Sequence, residues 1–201
     1  MKRYMILCLL LAGIESAVFA AQNPQQLVQD TTKKITSTLA AEQDAIAKNP
    51  ARLYEIVDEV VLPHFDFERM SSWVLGKYWR TASEDERRKF TGEFRDLLVR
   101  TYAKALNDNY NKAIDILPMR EKAGGNEVIV RTEVQQDSGF PIPIDYKMYL
   151  KGDTWKVYDV SVDNISLVTN YRTSFAQEIR SDGLPKLIER LAQRNRDAVA
   201  Q

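Results

Sequence analysis

The chain has 201 residues, with 28 acidic and 28 basic side chains, one histidine and one cysteine. This balance lacks the basic surplus that nucleic-acid-binding proteins and proteins of strongly anionic membrane surfaces use. A single cysteine excludes an internal disulfide, so an ordinary apolar core must stabilise the fold.

The first twenty residues have the three parts of an export signal. Residues 1–4 include the basic Lys2 and Arg3, and residues 5–14 are apolar. Val18-Phe19-Ala20 ends in the small residue that a signal peptidase recognises. An apolar helix of this length would measure about 15 Å, which is about half the hydrocarbon thickness of a bilayer. We therefore expect a signal peptide at 1–20, cleavage after Ala20, and a single soluble domain at 21–201 in a bacterial periplasm, without a lipid anchor.

Helical periodicity extends from Gln25 to about Tyr110. Ser83 and Glu86 form a capping box, in which each side chain accepts from the backbone of the other. This box predicts the start of the longest helix. The predicted helices cover residues 25–49, 53–61, 66–76 and 84–110.

After Ala113 the apolar residues alternate with a period of two, which predicts strands. The four predicted strands lie around 114–116, 128–134, 142–150 and 155–163, with a turn at 123–126 before the second. Gly152-Asp153 predicts a type II′ hairpin turn, which sets the register of the last two strands. In that register Leu150 lies opposite Trp155, Met148 opposite Val157, and Tyr146 opposite Asp159.

Two further helices are predicted at 166–182 and from 184 onward, separated by Gly183. Helices, then adjacent strands, then helices are typical of an α+β domain. We expect a helix-rich N-terminal half, a four-stranded antiparallel curved sheet and C-terminal helices.

Catalytic and metal-binding signatures are absent from the sequence, which has no GxSxG, HExxH or glycine-rich phosphate loop. His64, Asp66 and Glu68 could form a metal triad. However, they flank a helix start, where Asp66 is better interpreted as an N-cap. We therefore expect no catalytic residue, no metal and no cofactor.

Asp159 is the residue that a purely structural interpretation explains least well. The predicted register places it on the apolar face of the hairpin, where a carboxylate needs a partner. Arg100 of the longest helix and the hydroxyl of Tyr146 are the candidates. A structural ion pair is the first interpretation, and a functional acid is the alternative.

Five sequence blocks together resemble the MlaC family, also called the toluene-tolerance family. The resemblance extends from Gln25 to Arg194, and its strongest block is WKVYDVSVD at 155–163. One departure is Asp163-Asn164, where the family pattern has Asp-Gly; asparagine tolerates left-handed dihedral angles, so the turn is retained. The other blocks are 65–70, 74–80, 94–102 and 165–172.

The resemblance implies a periplasmic phospholipid carrier. It would shuttle diacyl phospholipid between an outer-membrane lipoprotein–porin complex and an inner-membrane MCE/ABC transporter, and so maintain outer-membrane lipid asymmetry. Exposing about 30 methylenes to water costs on the order of 24 kcal/mol, so lipid cannot cross an aqueous space without a carrier. We expect a lipid cavity between the sheet and the helices, toward the upper end of the usual ~300–1,000 Å³. The predicted lipid contacts are Leu97, Tyr102, Leu106, Val128, Val130, Ile144, Tyr146, Met148 and Trp155.

Two alternatives remain open at this point. One is a small hydrolase or isomerase that uses Asp159, which would lose turnover when this residue is changed. The other is a periplasmic chaperone for apolar clients, which would suppress their aggregation. A carrier would instead purify with bound phospholipid.

Overall fold

In the computed structural model, residues 23–119 and 125–199 are described. The predicted signal peptide, the cleavage after Ala20 and the first half of the turn at 123–126 lie outside these residues. Among the described helices, none combines the length and the apolar character that a membrane span requires.

The N-terminal half is helical, as the periodicity predicts, but the first predicted helix is two helices. The chain leaves the helical conformation at Glu42, whose φ is −108° and ψ is 14°. The Glu42 carboxylate accepts hydrogen bonds of 2.6 and 2.8 Å from the guanidinium of Arg52, which lies in the helix at Ala51–Val60. These bonds hold the bend in place. The helices of this half are α1 (Pro24–Ala41), α2 (Gln43–Lys48), α3 (Ala51–Val60), α4 (Phe67–Leu75), the short α5 (Lys77–Thr81) and α6 (Glu84–Asp108).

Local helix signals are confirmed at two helix starts. The capping box of Ser83 and Glu86 opens α6, with both hydrogen bonds present. Asp66 caps α4 and accepts from the backbone N–H of Arg69 at 2.9 Å. A 3₁₀ turn at Leu62–His64 connects α3 to this cap.

Within residues 23–119 and 125–199 the sheet is antiparallel and has five strands in the order β1-β2-β3-β4-β5, one more than predicted. The added strand β5 has only two residues and follows a turn in which Asp163 and Asn164 both have positive φ, at 50° and 64°. Two such residues between paired strands are typical of a type I′ turn, which agrees with the expected tolerance of asparagine. The strands are β1 (Ile114–Ile116), β2 (Glu127–Val134), β3 (Ile142–Lys151), β4 (Thr154–Val162) and β5 (Ile165–Ser166).

The β3–β4 hairpin follows the predicted register at its turn and departs from it further along. Leu150 pairs with Trp155 and Met148 with Val157, as predicted. A β-bulge after Met148 adds one residue to β4, so Asp159 pairs with Lys147 and not with Tyr146. One inserted residue moves each later side chain of β4 to the face opposite to the predicted one. The predicted position of Asp159 on the apolar face is therefore wrong.

The chain ends in α7 (Leu167–Asp182) and α8 (Leu184–Val199), with Gly183 between them at φ 84°. The main core lies between α4, α6, α7, α8 and one face of the sheet. A second core joins α1, α3 and α6. Helix α6 contributes to both cores and so holds the two halves of the fold together.

Candidate functional site

A cavity of about 340 Å³ lies between α3, α6 and the sheet. Its volume is near the lower end of the usual range for ligand sites, whereas the size of a diacyl lipid predicts a volume near the upper end. The wall is formed by Val57, Val61, Leu62, Phe65, Phe67, Met70, Leu98, Val99, Tyr102, Ala103, Ala105, Leu106, Asn109, Ile114, Val134, Gln136, Ile142, Ile144, Tyr146, Val160, Val162 and Leu167.

None of the described residues that line the cavity has a charged side chain. Burial raises the pKa of the Tyr102 phenol, with smaller contributions from the neighbouring Tyr171. Burial also raises the pKa of the Tyr146 phenol, and a hydrogen bond with Thr132 partly opposes this. Both phenols are therefore neutral at physiological pH, and the interior suits an apolar chain rather than an ion.

The cavity opens where α6 ends and where β1 and β3 begin. Lining residues at the opposite end, such as Met70 and Val160, are buried, whereas Ile142 at the start of β3 is 37 % exposed. The two amide side chains of the wall belong to this open end. Asn109 donates to the Ala105 carbonyl at 2.8 Å, and Gln136 donates to backbone carbonyls of its own loop at 3.2 Å. The mouth is thus more polar than the interior.

The structure places four of the nine predicted lipid contacts on the cavity wall and five outside it. Tyr102, Leu106, Ile144 and Tyr146 line the cavity. The other five are buried in the main core, further along the same strands and helix: Leu97, Val128, Val130, Met148 and Trp155. These five residues lie in the core and the other four on the cavity wall, a division that the sequence does not show because alternation along a strand does not give the distance of a residue from the mouth.

Sequence reasoning missed one wall of the cavity, which α3 and the segment after it provide. Val57, Val61 and Leu62 come from this region, and Phe65 and Phe67 follow them. A signal for this wall was present, because the apolar residues of α3 cover a wider face than contact with one neighbouring helix requires.

Asp159 is buried, as expected, but its partners differ from those predicted. Its side chain is 5 % exposed and accepts from Lys147 Nζ at 2.9 Å, Ser166 Oγ at 2.7 Å and the Val168 N–H at 3.1 Å. Neither Arg100 nor Tyr146 contacts it; the Arg100 guanidinium instead lies over the ring of Tyr54. Asp159 thus joins β3, β4 and the start of α7, and it does not line the cavity.

The second buried carboxylate, Asp66, also has a full set of donors. Besides the Arg69 N–H, it accepts from the Tyr149 hydroxyl and from Lys151 Nζ at 2.8 Å. Burial acts to raise the pKa of Asp66, but these hydrogen bonds outweigh it and hold the pKa below its ordinary value. Among the described residues no group of histidine, cysteine and acidic side chains could hold a metal ion, so His64, Asp66 and Glu68 do not form the triad considered above.

The model of the MlaC protein family matches residues 29–193. The chain belongs to the MlaC family. Several blocks that carry the resemblance contribute to the cavity wall: 65–70 supplies Phe65, Phe67 and Met70, and 94–102 supplies Leu98, Val99 and Tyr102.

Two relatives and one solved structure extend this result. An intermembrane phospholipid transport system binding protein MlaC from Haemophilus influenzae is 28 % identical over 90 % of this chain and 86 % of the relative. The toluene tolerance protein ttg2D of Pseudomonas putida is 28 % identical over 88 % of this chain and 82 % of its own. A phospholipid-binding protein from Ralstonia solanacearum, solved in complex with a phospholipid at 1.53 Å, superposes with a TM-score of 0.80 at 28 % identity, covering 90 % of this chain and 99 % of that one.

Proposed function

We propose that this protein is a periplasmic carrier that binds the acyl chains of a phospholipid in the cavity between α6 and the sheet. The observation that carries the proposal is a cavity with an apolar, uncharged wall in a fold that superposes on a phospholipid-bound relative. Burying the tails removes a cost on the order of 24 kcal/mol that free lipid would meet in water. The charged headgroup stays at the polar mouth.

The carrier would exchange lipid between an outer-membrane lipoprotein–porin complex and an inner-membrane MCE/ABC transporter, and so maintain the lipid asymmetry of the outer membrane. The name of the Haemophilus relative, a binding protein of an intermembrane phospholipid transport system, supports a role between two membranes. The proposal assigns no catalysis to the chain. The three donors on Asp159 support a structural role for this acid.

The test compares the same substitution on the two faces of the sheet. Ile144→Asp places a carboxylate on the cavity wall, whereas Ile129→Asp places one on the opposite face, beside Lys147 of the paired strand. We expect native mass spectrometry of the gently purified wild type to detect bound phospholipid. The Ile129→Asp protein should keep this lipid, and a folded Ile144→Asp protein should lose most of it.

Two results would contradict the proposal. One is a wild-type protein that carries no phospholipid after export from a bacterial host, and the other is full lipid occupancy in a folded Ile144→Asp protein.

The periplasmic location is tested in the same preparation. The mature chain should begin at residue 21 and appear in the periplasmic fraction, and its recovery only in the membrane pellet at high salt would oppose this part of the proposal.

A further inference from the structure

An ion pair between Lys112 and Asp137 joins two loops that border the mouth of the cavity. Lys112 lies in the loop between Asn109 and Ile114, which both line the cavity, and Asp137 directly follows the lining residue Gln136. The two loops are held together next to the pair, because the Gln135 N–H donates to the Ala113 carbonyl at 2.9 Å. The lysine is therefore fixed at the place where the headgroup of a bound lipid would emerge.

The two partners of this pair differ strongly in exposure. The side chain of Lys112 is 19 % exposed, whereas that of Asp137 is 90 % exposed. A carboxylate surrounded by water gains little from an ion pair, because solvent screens the attraction. The aliphatic stem of Lys112 is largely covered, so its ammonium group is held in place and remains available to an anion. Asp137 can thus leave the pair easily, provided that another anion takes its place beside Lys112.

Another described lysine, Lys104, lies near the same end of α6 and differs from Lys112 in its surroundings. Lys104, one turn before the end of α6, is 79 % exposed and pairs with Asp108 on its own helix at 2.8 Å. Lys112 is 19 % exposed, and its partner Asp137 belongs to the loop that follows the lining residue Gln136. Lys112 is therefore the more tightly enclosed of these two cations.

We propose that Lys112 binds the phosphate of the lipid headgroup and exchanges Asp137 for it when lipid enters. The inference rests on the proposed carrier function and adds the determinant of headgroup recognition. An ammonium group offers three donors, and a phosphate diester offers acceptor oxygens with a full negative charge. The exchange replaces one anion by another and leaves no buried charge without a partner. It makes the carrier prefer phosphate-bearing lipids over uncharged lipids with the same tails.

The experiment measures this preference directly. Delipidated full-length protein is equilibrated with mixed detergent micelles that contain equal amounts of dioleoyl phosphatidic acid and dioleoylglycerol, which differ only in the phosphate. Native mass spectrometry then gives the ratio of the two bound lipids. We expect the wild type to favour phosphatidic acid about tenfold, which corresponds to one charge-assisted hydrogen bond. Lys112→Met should bring the ratio close to one while dioleoylglycerol still binds.

Three further variants make the result specific. Lys112→Arg keeps the positive charge and should retain most of the preference. Lys104→Met removes an exposed lysine of α6, eight residues before Lys112, and should leave the ratio unchanged. Asp137→Asn removes the competing anion and should raise the ratio; a fall equal to that of Lys112→Met would instead mean that the pair only stabilises the mouth, and would overturn the inference.

The remaining outcomes separate this inference from the carrier function. A wild type that binds both lipids equally would overturn the role of Lys112 and leave the carrier intact, whereas a wild type that binds neither would remove the carrier function itself. Excess inorganic phosphate should not change the ratio, because the acyl chains hold the lipid phosphate at a high effective concentration beside Lys112. Loss of the preference in inorganic phosphate would identify a site for free phosphate and overturn the headgroup assignment.

Discussion

The buried acid Asp159 allows the sharpest test of the fold, because the structure gives all of its partners. Asp159→Asn keeps the shape of the side chain and replaces one carboxylate oxygen with an NH₂ group. The amide oxygen can still accept from the Val168 N–H. The new NH₂ group, however, faces Lys147 Nζ and Ser166 Oγ, which both donate to the carboxylate in the wild type.

The expected loss of stability follows from these contacts. Breaking a fully buried ion pair typically costs about 3–5 kcal/mol. The side chain of Lys147 is 35 % exposed and can turn toward water, which lowers the cost. We expect Asp159→Asn to reduce the free energy of unfolding by about 2–3 kcal/mol. For a domain of this size, that corresponds to a fall in Tm of roughly 5–10 °C.

Two further variants give an expected order for the losses of stability. Asp159→Ala removes the acceptor for all three donors and should cost about 3–5 kcal/mol. Lys147→Met removes one donor and leaves the other two, so it should cost about 1 kcal/mol. Urea unfolding of delipidated proteins measures all three, because bound lipid would otherwise stabilise each variant to a different extent.

The reasoning would be refuted by an Asp159→Asn protein as stable as the wild type, or by Lys147→Met costing more than Asp159→Ala. The same proteins test the alternative of an enzyme. Incubation with phospholipid should produce no hydrolysis in the wild type or in Asp159→Asn. Turnover in the wild type that disappears in a well-folded Asp159→Asn protein would refute a carrier without catalysis.

Two further predictions concern a carboxylate and a pair of glycines. Because the pKa of Asp66 is lowered from 3.8 in the folded protein, its contribution to stability is present above that pH and is lost as the pH falls through the folded value. Urea unfolding at several pH values should therefore show a difference in the free energy of unfolding between the wild type and Asp66→Asn. This difference should be constant near neutrality and become smaller below about pH 4. A difference that grows as the pH falls would contradict the prediction. Gly76→Ala should destabilise by about 1–2 kcal/mol, because Gly76 ends α4 at φ 55°. Gly92→Ala, inside α6 with no atom within 4 Å of the added Cβ, should stabilise by about 0.5–1 kcal/mol, and a common sign for the two changes would be contrary to this account.

Local signals predicted most elements of this fold because those elements are encoded locally. The capping box of Ser83 and Glu86 opens α6, and Gly183 separates α7 from α8. The errors arose where distant parts of the chain decide the outcome. The bend at Glu42 is tied by Arg52 of another helix, and nothing in the sequence around Glu42 indicates this contact.

The hairpin of β3 and β4 demonstrates the same limit within one motif. Its turn is local and was predicted together with the two pairs nearest to it. The bulge beyond Met148 turns the Asp159 side chain away from the apolar face and toward Lys147 and the start of α7. The bulge is accompanied by a contact between Asp159 and a helix that lies later in the chain, and the alternation of the strands does not indicate such a contact.

The division between packed core and cavity lies along α6. At one end of this helix, Phe90 and Phe94 are fully buried, and their ring centroids lie 5.9 and 6.1 Å from that of Phe175 in α7. Toward the other end, the side chains of Tyr102 and Leu106 line the cavity.

The sheet opposite α6 shows that residue type does not mark this boundary. Val130 and Met148 are buried at the packed end, whereas Ile144 and Tyr146 on the same face line the cavity. Both ends combine β-branched and larger apolar side chains. Periodicity gives the face on which a residue lies, but whether that face packs or encloses a cavity depends on which distant elements cover it, and the alternation of the strands does not contain this information.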